Sequence, residues 1–296
     1  MRGKGVQWMS SLGAYVVVSA LAGCGDSSTD SAPGSTSSTT STTSSTDSTT
    51  TTTDTGGGGA GGGGVFTAPT ATTYETSGGT ISMPCKGSGA LPIVFLAGGS
   101  DPANVWSDLV TALGPDVLTC RFNRPGVFPS YDPSDLITPQ DVADALAETL
   151  PQANIGTRFL LVGHSIGGLS MRMFGAGHGD SVAAAVFLDP TVPSFATSAP
   201  AELTQLGFDP QATATEGDAV TSWTSDASLR VLSHDGALAV SNGVFTPTDQ
   251  AAWDEGQQVY AHLTANGTQT DVTGAGHYVF VDAPEVVVAE IQALLP

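Results

Sequence analysis

Short apolar runs and helix-period stripes alternate along the latter part of the chain. Ile93-Val94-Phe95-Leu96 is continuously apolar and ends on Ala97-Gly98-Gly99, the pattern of a buried strand entering a tight loop. Trp106, Leu109, Val110 and Leu113 then recur at helical spacing until Gly114-Pro115 stops them. Residues 116–122 read as a second strand, followed by a turn at Arg124-Pro125-Gly126. Thr138-Pro139 supplies the N-cap and first-position proline of a helix whose apolar face is Val142, Leu146 and Leu150. Phe159-Leu160-Leu161-Val162 is too short for a helix and suits a strand covered on both sides. A helical face over 169–174, strands at 182–188, 229–232 and 269–272, and a closing helix over 284–295 complete the series. This alternation predicts an α/β fold, with a mostly parallel sheet and helices on both faces. Residues 191–228 break the rhythm and are rich in Pro, Ala and Thr, which predicts a small lid between strands. Leu203, Leu206, Phe208 and Trp223 within it would line an apolar acyl pocket or form the lid's own core.

The beginning of the chain follows other rules. Residues 25–64 are dominated by Ser, Thr and Gly, with too little apolar surface to offset chain entropy, which predicts a disordered tether. Before it, Arg2 and Lys4 precede a mostly apolar stretch over 6–20 that is too short and broken for a membrane span, so residues 1–23 read as a signal peptide. The stretch ends on Leu21-Ala22-Gly23-Cys24, which resembles the lipobox of bacterial lipoproteins. That resemblance implies a lipidated Cys24 and an exported protein, held at the periplasmic or surface side of a bacterial membrane by its N-terminal lipid alone. The expected organisation is therefore signal peptide 1–23, tether 24–64 and folded domain 65–296.

Charge narrows the partners. Eight Lys and Arg face 28 Asp and Glu, a formal −20, so nucleic acid and anionic headgroups are repelled. His and Cys show no metal-ligand spacing, and no cofactor is implied. With Cys24 taken, Cys85 and Cys120 remain; in an exported protein they suggest a disulfide, with two buried thiols as the alternative.

The chemistry concentrates at Gly163-His164-Ser165-Ile166-Gly167-Gly168, which follows an apolar strand and opens a helix, the setting of a nucleophile elbow. The flanking residues must be small so that strand and helix can approach, which pushes the Ser165 hydroxyl out at a helix N-terminus. A serine hydroxyl needs a base. Of five histidines, His164 lies inside the elbow on the wrong side to serve, and His178 and His262 carry no catalytic signature. His277, in Gly274-Ala275-Gly276-His277-Tyr278 after the last expected strand, is in the required order. Two carboxylates at strand ends between Ser165 and His277 qualify as the orienting acid, Asp189 and Asp235.

From Ile81 onward the chain resembles α/β-hydrolases of a secreted bacterial group. The matching residues are Cys85-Lys86-Gly87-Ser88-Gly89, Cys120 ahead of Arg124-Pro125-Gly126, the elbow, Leu188-Asp189-Pro190 and Gly276-His277-Tyr278. The resemblance implies an α/β-hydrolase fold, a Cys85–Cys120 disulfide, and Asp189 in preference to Asp235. Two departures stand out: Ala97-Gly98 where His-Gly is usual, and Asn123 where an Asp commonly precedes the Arg. Oxyanion donors are expected at the backbone N–H groups of Ile166 and Gly99. The expected function is a serine hydrolase cleaving small carboxylic esters through an acyl-enzyme on Ser165. An amidase or acyltransferase on the same triad is the alternative within the class, and a non-catalytic cell-surface binding module the alternative outside it. Ser165 argues against dehalogenase and epoxide-hydrolase chemistry, which needs Asp at the elbow.

Overall fold

Strands apolar on both faces build the centre of the computed structural model, which describes residues 64–296. The signal peptide, Cys24 and nearly all of the tether lie outside the described residues. The main sheet has seven strands: β1 (Cys85–Lys86), β2 (Ile93–Leu96), β3 (Thr119–Phe122), β4 (Phe159–His164), β5 (Val182–Leu188), β6 (Ser228–Ser233) and β7 (Gly267–Asp271). Their spatial order is β7-β6-β5-β4-β2-β3-β1; all neighbours run parallel except β1, which pairs antiparallel with β3. Every residue of β2 and of β4 is buried, as their unbroken apolar runs predict for central parallel strands. Two small antiparallel ribbons precede the sheet, Phe66–Thr67 with Ser88–Gly89 and Thr73–Thr76 with Gly79–Ser82.

Helices cover the sheet. Ile93 and Phe95 of β2 and Leu160 and Val162 of β4 share one core with Trp106 and Leu109 of the first helical stretch, and with Val287 and Ile291 near the C-terminus. These helices are α1 (Ser107–Leu113) and, at the end, Pro284–Gln292. A 3-10 turn at Ala103–Trp106 leads into α1, so Trp106 precedes the helix it was expected to join. Helix α2 (Pro139–Ala153) opens with a capping box between Thr138 and Asp141, and it packs against α3 (Ile166–His178). Cys85 and Cys120 face each other across β1 and β3 and form a disulfide at the sheet's edge.

The segment between β5 and β6 carries three short helices, Pro193–Ser198, Pro200–Gln205 and Pro210–Ala219, each with Pro in its first turn. Leu203, Phe208 and Trp223 are buried, and Trp223 donates its indole N–H to the Arg172 carbonyl of α3; Leu206 lies against Gly99. One further helix, α4 (Pro247–Ala261), has no apolar stripe in the sequence to announce it; its buried face carries Gln250, Trp253, Gln257 and Tyr260. No helix among the described residues is long and apolar enough to cross a membrane.

Candidate active site

Register alone gathers the candidate residues. His164 pairs with Leu188 across β4 and β5, Leu188 with Leu232 across β5 and β6, and Ser233 with Asp271 across β6 and β7. The chain therefore leaves neighbouring parallel strands at Ser165, Asp189 and His234, and reaches His277 a few residues beyond the fourth. Open α/β sheets bind their ligands outside these carboxyl ends.

Ser165 stands between β4 and α3 at φ 53°, ψ −126°, backbone that an L-residue adopts only under constraint. The constraint is close packing. A side chain on Gly163 would put its Cβ 2.3 Å from the Met171 sulfur, and one on Gly167 would put it 2.5 Å from the carbonyl oxygens of Leu96 and Ala97. Ser165 N–H donates to Leu188 O at 3.2 Å, and its own carbonyl accepts from Thr191 N–H at 3.0 Å. The Ser165 hydroxyl is hydrogen-bonded to the Thr191 hydroxyl at 3.2 Å.

Asp189 is fully buried and also takes a positive φ, 43°. Its carboxylate accepts from His277 Nδ1 at 2.6 Å on Oδ2, and from Trp253 Nε1 at 2.9 Å on Oδ1. A third donor is His234 Nδ1, 2.9 Å from both oxygens. Burial by itself would push this carboxyl up; the positive charge of His234 and the hydrogen bonds from His234 and His277 overturn that and hold it well below the ordinary carboxylate range. The bond to Asp189 makes His277 Nδ1 the protonated nitrogen and leaves Nε2 as the basic one.

Asp235 is placed elsewhere. It caps the short helix Gly236–Ser241 by accepting from Leu238 N–H, and also accepts from Gly274 N–H. It makes no contact with His277, so of the two acids open in the sequence, the structure brings only Asp189 to the histidine.

His164 keeps the supporting place expected of it, with an identifiable contact. Its Nε2 donates to the His277 carbonyl at 3.0 Å, and its Nδ1 is buried without a partner. Burial, reinforced by the neighbouring His277, lowers its pKa to about 3, so the ring is neutral. A Cβ on Gly98 would meet His164 Nδ1 at 2.7 Å and Ser165 Cβ at 2.9 Å, which explains why the glycine of the usual His-Gly pair is kept here while Ala97 stands in place of the His.

The loop after β2 is fixed by Arg124. Its Nε and Nη2 donate to Gly99 O at 2.9 and 2.6 Å, Nη2 also to Leu206 O at 2.8 Å, and Nη1 to Pro125 O at 2.7 Å. Burial lowers this guanidinium to about 10, so it remains cationic at neutral pH. Among the described residues, no backbone hydrogen bond outside the regular helices and strands engages the N–H of Gly99 or Ile166. Tyr278 ties the same loop to the histidine by donating to Asp101 Oδ2 at 3.1 Å. His178 ends α3 and His262 caps α4, both remote from this cluster in their bonding.

Sequence reasoning missed His234, Gln250, Trp253 and Thr191, and gave Arg124 no role. Gln250 and Trp253 share the buried face of α4 with Gln257, which donates to Pro190 O at 2.7 Å, and with Tyr260, which donates to Thr191 O. A polar helix face of this kind carries no hydrophobic period. Two cavities, of about 520 Å³ beside Arg158 and Thr224 and about 770 Å³ beside Tyr131 and Glu148, include none of these residues. Hydrogen-bond geometry, rather than cavity size, marks the site. Among the described residues no group of His, Cys, Asp and Glu is placed to hold a metal ion.

Comparison with known proteins bears on the fold. A thermophilic esterase from Thermogutta terrifontis superposes with a TM-score of 0.55 at 16% identity, covering 77% of this chain and 96% of that one. An esterase from a Rhodococcus species gives 0.54 at 17%, covering 75% and 96%. Est816, described as an N-acyl homoserine lactone degrading enzyme, gives 0.58 at 16%, covering 75% and 99%. At such identities the likeness is one of fold. An uncharacterized protein of Schizosaccharomyces pombe is 35% identical over 83 residues, a stretch amounting to 28% of this chain and 16% of that protein. The pattern of the Alpha/beta hydrolase family matches residues 93–290, well over half of the chain, and this chain, with the same sheet order and elbow, belongs to the alpha/beta hydrolase family.

Proposed function

We propose that the protein is a serine hydrolase that cleaves carboxylic esters of small molecules through an acyl-enzyme. The observation that carries this reading is the elbow serine at φ 53° one strand away from a buried Asp189–His277 pair at 2.6 Å. Ser165 Oγ attacks the ester carbonyl while its proton passes to His277 Nε2. The negative oxygen is received by the Ile166 and Gly99 N–H groups, where each such donor typically contributes about 3 kcal/mol toward the transition state. Collapse breaks the carbon–oxygen bond, and His277 returns its proton to the departing alcohol. Water then attacks the acyl group with His277 again as base, releasing the carboxylic acid and restoring Ser165. Asp189 holds the imidazole in the tautomer that this requires.

The experiment is labelling of the full chain with a fluorophosphonate, alongside Ser165→Ala. Labelling of the wild type and its loss in the variant support the reading. A folded wild type that resists the reagent overturns it in favour of a surface-binding module. The N-terminal pattern further supports export and a lipid anchor at Cys24; Cys24→Ser should release the protein from the membrane fraction, and retention there would contradict the anchor.

A further inference from the structure

Asp189 serves two histidines, and the reading above uses only one of them. We propose that His234 is held as an imidazolium against Asp189, as a positioning residue that offsets part of the negative charge Asp189 presents to His277. This rests on the hydrolase reading, but the proton on His234 follows from hydrogen-bond chemistry alone. Gln250 Nε2 donates to Asp254 Oδ1 at 2.7 Å, which fixes the amide orientation, because the flipped form would set oxygen against carboxylate. Gln250 Oε1 therefore faces His234 Nε2 at 3.0 Å and accepts only. On the other side Nδ1 faces the two oxygens of Asp189 at 2.9 Å. Each ring nitrogen meets a pure acceptor, so each carries a hydrogen. The ring is buried and stacks on Phe245, with centroids 5.2 Å apart. Burial lowers its pKa, but the Asp189 charge and hydrogen bond, the Gln250 bond and the Asp254 charge outweigh this and raise it to about 9.

The consequence concerns charge. Asp189 and His234 form a neutral pair before any reaction starts. When His277 accepts the serine proton, Asp189 lies between two cations, and its attraction for the new one is partly offset by His234. The imidazolium of His277 is thereby made a readier proton donor to the leaving alcohol. The other ionisable groups facing this cluster are few. Asp101 reaches it through Tyr278, Arg124 lies behind Gly99, Asp254 behind Gln250, and Asp235 is at the surface beside His234. His164 is neutral.

Two measurements on the full chain test this. In nitrogen-15 histidine spectra of the wild type, both ring nitrogens of His234 should be protonated at about pH 7. A ring with one bare nitrogen there overturns the proposal, and no substitution is needed to see it. In His234→Gln, whose amide can still donate to Asp189, the acid limb of kcat/KM for a chromogenic ester should move to higher pH by about one unit, an approximately tenfold loss of activity on that limb with the plateau much less affected. A folded variant whose limb is unmoved also overturns the proposal, whatever its effect on stability. If the wild type fails to label with fluorophosphonate, the hydrolase reading falls, and the spectra still decide the state of His234.

Discussion

The Nε2 of His164 donates to the main-chain carbonyl of His277 at 3.0 Å, so the residue before the elbow serine holds the backbone of the histidine that serves it. Asp189 orients the ring of His277 from one side while His164 fixes its main chain from the other. Replacing His164 by Phe keeps the ring's volume and removes the bond. We expect kcat to fall by roughly tenfold to a hundredfold with KM little changed, because the loss is of geometry at the reacting centre. Steady-state kinetics on a soluble ester measures it.

His164 and His234 impose opposite pH dependences on stability. The folded state holds the His164 pKa at about 3, below its ordinary 6.5. Between those values the unfolded chain binds the extra proton, so stability falls as the pH drops through this window. The folded state raises His234 from 6.5 to about 9. Its contribution is complete below 6.5 and is lost as the pH rises toward 9, on the order of 3 kcal/mol. Denaturant unfolding at a series of pH values should show both slopes, and His234→Gln should flatten the alkaline one alone.

Asp189 and Asp235 separate cleanly by substitution. Asp189→Asn should lower kcat by about 10³-fold or more, since the amide no longer enforces the His277 tautomer. It should also destabilise the fold, because the His234 cation loses its buried counter-charge. Asp235→Asn keeps a capping side chain on the surface helix, and we expect unchanged kcat. Kinetics and thermal melts of the two variants distinguish them.

Arg124 holds the Gly98-Gly99 loop through the Gly99 carbonyl. Arg124→Met strips the donors from Gly99 O and Leu206 O, both of them part-buried. We expect a stability loss of about 3 kcal/mol and a kcat lowered by about tenfold or more. Arg124→Lys, a point charge that cannot span both carbonyls, should restore little. Thermal melts paired with kcat for both variants measure this.

The disulfide lies at the far edge of the sheet, and Cys85 and Cys120 are 35 residues apart in sequence. Reduction, or the double Ser variant, should cost up to about 4 kcal/mol by loosening the unfolded chain's constraint. The kcat at moderate temperature should not change. Melts with and without reductant, alongside activity, test this pair of outcomes.

The strands and the elbow were legible because their signals are local. Residues 159–162 of β4 form an unbroken apolar run, and the small residues around Ser165 record the approach of strand to helix. The histidine after the last strand and the two possible acids could likewise be read from position in the chain. The choice between Asp189 and Asp235 could not, because both end parallel strands; it took the bond of His277 to Asp189, and those of Leu238 and Gly274 to Asp235, to tell them apart. His234 was passed over for a related reason. It stands directly beside Asp235 after an ordinary strand, and its meaning lies in Gln250 and Trp253, which arrive from a helix with a polar buried face. Hydrophobic periodicity reports apolar burial, so a helix that buries amides and an indole N–H around a charge leaves no such trace.

The most direct test of the account is to trap the intermediate. The full chain is mixed with a slowly deacylating activated ester, quenched in acid, digested and mapped by mass spectrometry. The account predicts one acyl adduct, on Ser165, that accumulates in His277→Ala far more slowly than in the wild type. An adduct confined to another residue, or steady ester turnover by Ser165→Ala at the wild-type rate, would contradict it.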